Sequence, residues 1–187
     1  MLSGRRLDLL DPSPLDIELD DIAHGLARVA RWNGQTKGDH AYSVAQHSML
    51  VEQIMLIVSP QLTLQQSLYA LLHDAPEYVI GDMISPFKAV VGGAYKEVET
   101  RLESAIHLHV GLPAQIPDKL KKSIKKADTI AAYFEATELA GFDHAEAAQI
   151  FGRPNGVSTD QLDLTPLPAS EIQMLFINRI NQVMEAL

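Results

Sequence analysis

The chain has 187 residues, of which 47% are hydrophobic and 21% are charged, and its formal net charge is −9. This length suits one domain with a substantial core, and the moderate charged fraction argues against a disordered chain. The acidic balance disfavours partners such as long nucleic acids and anionic membranes, because binding to them depends on basic surfaces. A small phosphorylated molecule needs only a few local cations and is compatible with this charge.

The chain contains no cysteine, which restricts its chemistry. Disulfides, thiolate nucleophiles and Cys-ligated zinc are excluded, so any metal site must be built from His, Asp and Glu. No apolar run approaches the ~18 residues that a membrane span requires. The first residues also lack the apolar block of a signal peptide. We therefore expect a soluble protein, and the cytoplasm is its expected location.

Apolar residues recur at helical spacing through most of the chain. In chain order, the spacing predicts helices over 17–30, 42–58, 63–73, 93–111, 117–141 and 169–187. Gly81 and Ser85-Pro86 predict turns, and no segment reads as a convincing strand. We expect an all-α helical bundle that forms a single domain over 1–187. Its core would lie in 17–140, with a loop over 152–169 and a C-terminal helix over 170–187.

The most informative pair is His73-Asp74, at the end of an apolar predicted helix. Adjacent helical side chains point about 100° apart, so both can reach one ion near a helix end. Imidazole and carboxylate ligands together suit Mn, Fe, Co, Ni or Zn. Because two ligands do not make a tight site, further ligands are required.

Two more residues are candidates for such ligands. His47 lies in the second predicted helix with apolar neighbours one turn away on either side, so it faces the interior. Asp128 lies on an apolar stripe of the fifth predicted helix, where an unpaired carboxylate is costly. With His73 and Asp74 they form a His2Asp2 set that leaves coordination positions for water and substrate.

Each of these residues also has an ordinary structural interpretation. His47 alone fits a hydrogen-bonded core histidine, and Asp128 alone fits an ion pair with Lys125. Asp74, followed three residues later by Glu77, matches a capping box at the start of a helix. Short motif matches often mislead, but the order and spacing of the whole set favour a shared metal site.

Several motifs combine with this set over residues 22–140. They are Arg31-Trp32, His47-Ser48, His73-Asp74-Ala75 with Glu77, Gly81-Asp82, Pro86, Ala127-Asp128 and Ala132-Tyr133. In these residues the sequence resembles the HD-domain superfamily of metal-dependent phosphohydrolases, which fold as helical bundles. Within it, the chain is similar to the bacterial 5′-deoxynucleotidase group, which hydrolyses deoxyribonucleoside monophosphates with a divalent metal.

The resemblance implies a role for each matching residue. One divalent cation would be held by His47, His73, Asp74 and Asp128, and Glu77 would be the acid–base residue that handles the attacking water. Arg31 would bind the phosphate, Trp32 would lie against the sugar and Asp82 would hydrogen-bond a sugar hydroxyl. The family also implies a homodimer. The expected reaction is hydrolysis of a (deoxy)ribonucleoside 5′-monophosphate by a metal-activated water.

The chain departs from the family pattern in the stretch that precedes the first histidine. Gln46 stands where the family usually has glutamate, and the segment over 33–40 is one residue longer and different in composition. This segment would border the substrate. The preference for deoxyribose or for monophosphates is therefore open.

Other functions compatible with an HD pattern are a phosphodiesterase, a triphosphohydrolase and a non-catalytic, metal-containing module that senses a nucleotide. A two-metal phosphodiesterase would need further histidines, and His107 and His109 lie in the relevant interval. Two residues apart on a helix, they point about 200° apart and cannot both face one ion. We interpret both as surface or core-edge residues, and the lysine run over 119–126 as a solvated helix face.

Overall fold

The structure, a computed structural model, describes residues 1–187 apart from the side chains of residues 85, 86 and 89. The described chain is helical, and its one β-type pairing is an isolated bridge between Ala30 and Ser43. The expected all-α fold is confirmed. The helices are α1 (Leu19–Leu26), α2 (Val44–Val58), α3 (Leu64–Leu71), α4 (Glu77–Ile80), α5 (Ser85–Val91), α6 (Gly93–His109), α7 (Asp118–Glu138), α8 (His144–Phe151) and α9 (Ala169–Glu185). Short 3-10 turns lie at Pro14–Asp16, Arg31–Gly34 and Thr159–Gln161.

Side-chain caps determine where several helices begin. The Ser43 hydroxyl accepts a hydrogen bond from the backbone N–H of Gln46 at the start of α2. At α3, Thr63 and Gln66 form a reciprocal capping box. Such caps satisfy backbone donors that have no partner within the helix, and each contributes about 1 kcal/mol. The cap at Ser43 places His47 in the second turn of α2.

Helix α2 occupies the middle of the bundle, where it packs against α7, α3 and α9. Helix α1 packs against α9 and α4, and α8 packs against α7. The contact between α1 and α4 depends on Gly25, because a Cβ atom there would lie 2.8 Å from the Cβ atom of Tyr78. Buried apolar residues from Ile17 to Val183 form one continuous core cluster. The assignment of 1–187 to a single domain stays a prediction, which this cluster supports.

Three helices were not predicted from the sequence. They are α4, α5 and α8, and α5 occupies the position where Ser85-Pro86 predicted a turn. The side chain of Pro86, one of the residues that carry the resemblance, lies outside the described residues. Helix α3 ends at Leu71, so His73 and Asp74 lie in the turn between α3 and α4 rather than on a helix. Residues 152–168 form a loop, as predicted, with the Thr159–Gln161 turn inside it.

The fold bears on two sequence predictions, one about membrane-spanning segments and one about the histidines near the end of α6. In the described part of the chain, no helix combines the length and apolarity needed to cross a membrane. His107 was expected at the surface or the core edge, and this is corrected: it is fully buried, with Nδ1 against the carbonyl oxygen of Ala114 and its ring against Tyr69. His109 is exposed and its Nδ1 contacts the carbonyl oxygen of Pro14.

Candidate metal centre

The four predicted ligands come from three separate parts of the fold. His47 lies on α2 and Asp128 on α7, and these two helices pack against each other. His73 and Asp74 lie in the turn that follows α3, which packs on α2. The packing around α2 therefore brings residues distant in sequence to one place.

The side chains of these residues point at one another. His47 Nε2 lies 3.3 Å from Asp128 Oδ1 and 3.5 Å from Asp74 Oδ2. His73 Nε2 lies 3.2 Å from Asp74 Oδ2. Ligand-type atoms of His47, His73 and Asp128 all lie within 4.8 Å of one another. These distances are compatible with one ion shared by the whole set.

The hydrogen bonding of the two imidazoles fits a metal site. His73 Nδ1 lies 2.8 Å from the carbonyl oxygen of Ala70, and His47 Nδ1 lies 2.5 Å from a carboxylate oxygen of Glu135. Both partners accept hydrogen bonds, so each Nδ1 carries a hydrogen, and Nε2 is the nitrogen that can bind an ion when the ring is neutral. Both Nε2 atoms are buried, and no described residue hydrogen-bonds them. Buried nitrogen atoms of this kind need a partner, and a divalent cation suits the set.

The electrostatics of the site favour a cation. Burial alone would raise the pKa values of Asp74 and Asp128, but the neighbouring histidines outweigh burial and hold both pKa values well below the usual range. Burial and then Arg31 lower the pKa of His47, yet Glu135 and Asp128 raise it to about 10. The site therefore concentrates negative charge around the imidazoles.

The sequence also allowed purely structural roles for the predicted ligands, and the structure contains only some of the contacts that those roles require. The Lys125 ammonium does donate to Asp128 Oδ2 at 2.7 Å, so this ion pair exists beside the contact with His47. The capping box expected for Asp74 and Glu77 is absent from the described residues, because the residue before α4 is Pro76 and no side chain caps this helix. Asp74 instead faces the two histidines.

Glu77 is the first residue of α4 and is buried beside the predicted ligands. Its Oε1 accepts a hydrogen bond from the Lys88 ammonium at 3.3 Å, and its Oε2 has no partner among the described residues. Burial, with the charges of Asp74 and Asp82, raises the pKa of Glu77 to about 8, although Lys88 and Arg31 oppose the shift. A carboxyl group with a pKa near neutrality can both accept and donate a proton.

Arg31 and Asp82 form an ion pair at the edge of the same site. Arg31 Nη1 donates to Asp82 Oδ2 at 3.2 Å, and Arg31 Nε donates to Glu135 Oε2 at 3.3 Å. The backbone holds the arginine in place, because its N–H donates to the carbonyl oxygen of Tyr42 at 2.8 Å, just before α2 begins. Arg31 therefore lies next to the helix that carries His47.

Trp32 is partly buried and contacts α7 and the region of α8. Its indole N–H donates to Glu135 Oε2 at 2.8 Å. Its ring packs against Phe142 and Phe151, with ring centroids 5.6 and 6.1 Å apart. Trp32 anchors the Arg31–Gly34 turn, and only its partly exposed surface remains for a substrate.

The residue that the sequence interpretation missed is Glu135. It is fully buried on α7 and contacts His47, Trp32 and Arg31. A carboxylate on the apolar stripe of this helix is the same signal that identified Asp128. Lys88 pairs with Glu77 and with Glu99.

A cavity of about 440 Å³ reaches three of the predicted ligands, His73, Asp74 and Asp128. Helices α6 and α7 border it, and its lining includes the cations Lys96, Lys121, Lys122 and Lys125. A space of this size admits a small molecule. His107 and His109 do not belong to the ligand cluster found among the described residues.

Comparisons with known proteins agree with this geometry. The model of the YfbR-like 5′-deoxynucleotidase family matches residues 21–149, which contain every site residue described above. Over its full length the chain is 54% identical to an uncharacterised protein of Rhodobacter capsulatus, of which it covers 95%. Over 91% of its length it is 30% identical to the uncharacterised protein YfdR of Escherichia coli, of which it covers 86%. The chain therefore belongs to the YfbR-like 5′-deoxynucleotidase family of HD-domain proteins and is a metal-dependent phosphohydrolase.

Proposed function

We propose that the protein hydrolyses the phosphate monoester of a (deoxy)ribonucleoside 5′-monophosphate, with one divalent cation held by His47, His73, Asp74 and Asp128. The main support is the convergence of two buried Nε2 atoms, which no described residue hydrogen-bonds, on two carboxylates. Mixed imidazole and carboxylate ligands suit Mn, Co, Ni, Fe or Zn. The family match supports the nucleotide class of the substrate.

The proposed reaction is an attack of water on phosphorus. A divalent cation held by these four residues would make a water more acidic and would withdraw charge from the phosphoryl oxygens. Glu77 accepts the proton of the attacking water, because it is buried beside Asp74 and its Oε2 has no partner among the described residues. The bond from the water oxygen to phosphorus forms as the bond from phosphorus to O5′ breaks. Glu77 then returns its proton to O5′, so the nucleoside leaves as an alcohol.

Arg31 is proposed to bind the phosphoryl oxygens. Its Nε and Nη1 are engaged with Glu135 and Asp82, and its Nη2 makes no hydrogen bond with the described residues. A guanidinium held in this way by two carboxylates is oriented before substrate arrives. Asp82 is proposed to exchange part of its contact with Arg31 for a sugar hydroxyl, and Trp32 to border the sugar.

A substrate screen tests this proposal. Protein treated with a chelator is reloaded separately with Mn, Co, Ni, Fe, Zn or Mg and supplied with ribo- and deoxyribonucleoside 5′-monophosphates. Triphosphates and cyclic dinucleotides are supplied in parallel, and release of phosphate or pyrophosphate is measured. We expect phosphate from monophosphates with at least one of the transition metals. Activity confined to triphosphates or cyclic dinucleotides would overturn the proposed substrate, and no hydrolysis of any ester would overturn the reaction.

Replacing Arg31 with lysine tests the phosphate contact. Lysine keeps the charge but loses the planar fork that Asp82 and Glu135 orient, so a charge-assisted hydrogen bond worth roughly 1.5–3 kcal/mol is lost. We expect kcat/KM for a nucleoside monophosphate to fall about 10- to 100-fold, mainly through KM. Steady-state kinetics measure this change.

The control for this variant is Arg28→Lys, the same substitution at an exposed arginine. Arg28 contacts the carbonyl oxygen of His24 and the side chain of Gln173, outside the candidate site. We expect its kinetics to match those of the wild type. Equal kinetics for Arg31→Lys and the wild type would show that Arg31 does not bind the phosphate.

A further inference from the structure

Glu135 joins parts of the site that are far apart in sequence. Its Oε1 lies 2.5 Å from His47 Nδ1, and its Oε2 accepts hydrogen bonds from Trp32 Nε1 at 2.8 Å and from Arg31 Nε at 3.3 Å. The side chain is fully buried. One carboxylate therefore contacts a proposed metal ligand and a proposed phosphate-binding residue together.

The ionised form of Glu135 is stable in this environment. The Arg31 guanidinium and the Trp32 indole both donate hydrogen bonds to this carboxylate, and a third nitrogen, His47 Nδ1, lies at hydrogen-bond distance. Both oxygens of an ionised carboxylate act only as acceptors, so each contact must come from a donor. His47 Nδ1 therefore carries a hydrogen, and His47 Nε2 is the nitrogen that faces Asp74 and Asp128.

We propose that Glu135 is a positioning residue that orients His47 for the cation and, through the same carboxylate, holds the Arg31–Trp32 turn beside it. This inference rests on the proposed function, because it assumes that His47 binds a cation and Arg31 a phosphate. A carboxylate behind a ligating histidine fixes the orientation of its ring and strengthens it as a ligand. Glu135 has a second role as well, because its other oxygen, Oε2, holds Arg31, the proposed phosphate-binding residue, in place.

The backbone around Trp32 supports the second role. Trp32 and Asn33 have φ angles of 56° and 52°, in the left-handed region that is costly for a bulky residue such as tryptophan. Such a conformation persists only where the surroundings hold it. The hydrogen bond from the indole to Glu135 and the packing on Phe142 and Phe151 provide that support.

The position of Glu135 on α7 also explains why one residue can serve both roles. Asp128 and Glu135 lie seven residues apart, close to two helical turns, so they share a face of α7. His47 lies between them, with Nε2 toward Asp128 and Nδ1 toward Glu135. The helix thus carries a proposed ligand and the group that orients a second ligand.

The variant Glu135→Gln tests the inference. Glutamine is neutral and has an amide NH2 group in place of one oxygen, so one of the two contacts faces a donor and the other loses the carboxylate charge. We expect the affinity for Co²⁺ or Mn²⁺, measured by calorimetric titration, to fall about 10- to 100-fold. We also expect a changed visible spectrum of bound Co²⁺ and a raised KM for the nucleotide.

Two further variants separate positioning from general stabilisation. Glu52→Gln is the matched control, because Glu52 is also a buried glutamate paired with an arginine, Arg179, but it lies outside the candidate site. It is expected to lower the melting temperature without changing metal affinity. Trp32→Phe removes one donor from Glu135 and leaves the His47 contact, so KM should rise while metal affinity stays at the wild-type value.

The possible results are distinguishable from failure of the proposed function. Wild-type metal affinity in folded Glu135→Gln would overturn the inference, as would an unchanged KM. If Glu135→Gln does not fold, Glu135→Asp provides the test, because it keeps both oxygens and draws them away from His47. Wild-type metal affinity in folded Glu135→Asp would also overturn the inference. A wild-type protein that binds no divalent cation would instead overturn the proposed function itself.

Discussion

Replacing Asp128 with alanine is expected to remove stoichiometric metal from the protein and to reduce phosphohydrolase activity to background. Asp128 contributes an oxygen 3.3 Å from His47 Nε2, within the cluster of ligand-type atoms. Groups that only orient a ligand change metal affinity about 10- to 100-fold, so loss of a direct ligand should exceed ~100-fold. Metal content by elemental analysis and affinity by calorimetric titration measure the effect.

A thermal measurement provides an independent readout of the same variant. A ligand that binds only the folded state stabilises it, by about 2.7 kcal/mol when present at 100 times its Kd. Added Mn²⁺ or Co²⁺ should therefore raise the melting temperature of the wild type and have little effect on Asp128→Ala. The control is Asp118→Ala, which removes an exposed carboxylate from the first turn of the same helix. Full metal binding by Asp128→Ala would remove Asp128 from the ligand set.

Replacing Glu77 with glutamine is expected to separate metal binding from catalysis. Glutamine resembles protonated glutamate in shape but cannot accept a proton, and general acid–base groups contribute about 10²- to 10⁴-fold to rate. We expect kcat to fall by that factor, with metal content and metal affinity unchanged. Steady-state kinetics on a nucleoside monophosphate and elemental analysis of the same sample provide the comparison.

The control for this variant is Glu97→Gln, at an exposed glutamate on α6 that pairs with Arg101. It should leave kcat at the wild-type value. Near-wild-type kcat in Glu77→Gln would assign the proton transfer to another group. Loss of metal together with kcat would instead make Glu77 part of the metal site rather than its acid–base partner.

The long helices could be predicted from the sequence because each has its own periodic pattern. Helices α2, α6, α7 and α9 agree with the predicted segments to within a few residues. The three that were missed, α4, α5 and α8, have four to eight residues, and so short a helix gives a weak period. Helices α1 and α3, with eight residues each, were predicted only as parts of longer segments. Proline also misled the prediction at α5, since it breaks a helix interior but is well suited to the first turn.

Glu135 shows which part of the site a local sequence pattern can predict and which part it cannot. Its place on the apolar stripe of α7, in line with Asp128, indicates a carboxylate that needs a partner. The identity of that partner depends on where α2 and the Arg31–Gly34 turn lie relative to α7. No short stretch of sequence encodes that placement, because it results from the packing of helices whose contacts are long-range.

The sequence by itself determined the helical fold class, because helical periodicity is a local pattern. It also determined the family and the residue types that can hold a cation, because the motif residues His, His-Asp and Asp follow one another in a recognisable order along the chain. The tertiary structure decided which of these groups meet. Packing of α2 on α7 and α3 brings His47 to Asp74 and Asp128, and it buries Glu135 behind the imidazole. Burial then shifts the pKa of Glu77 to about 8, a value that depends on the surrounding charges and the excluded water rather than on the residue type.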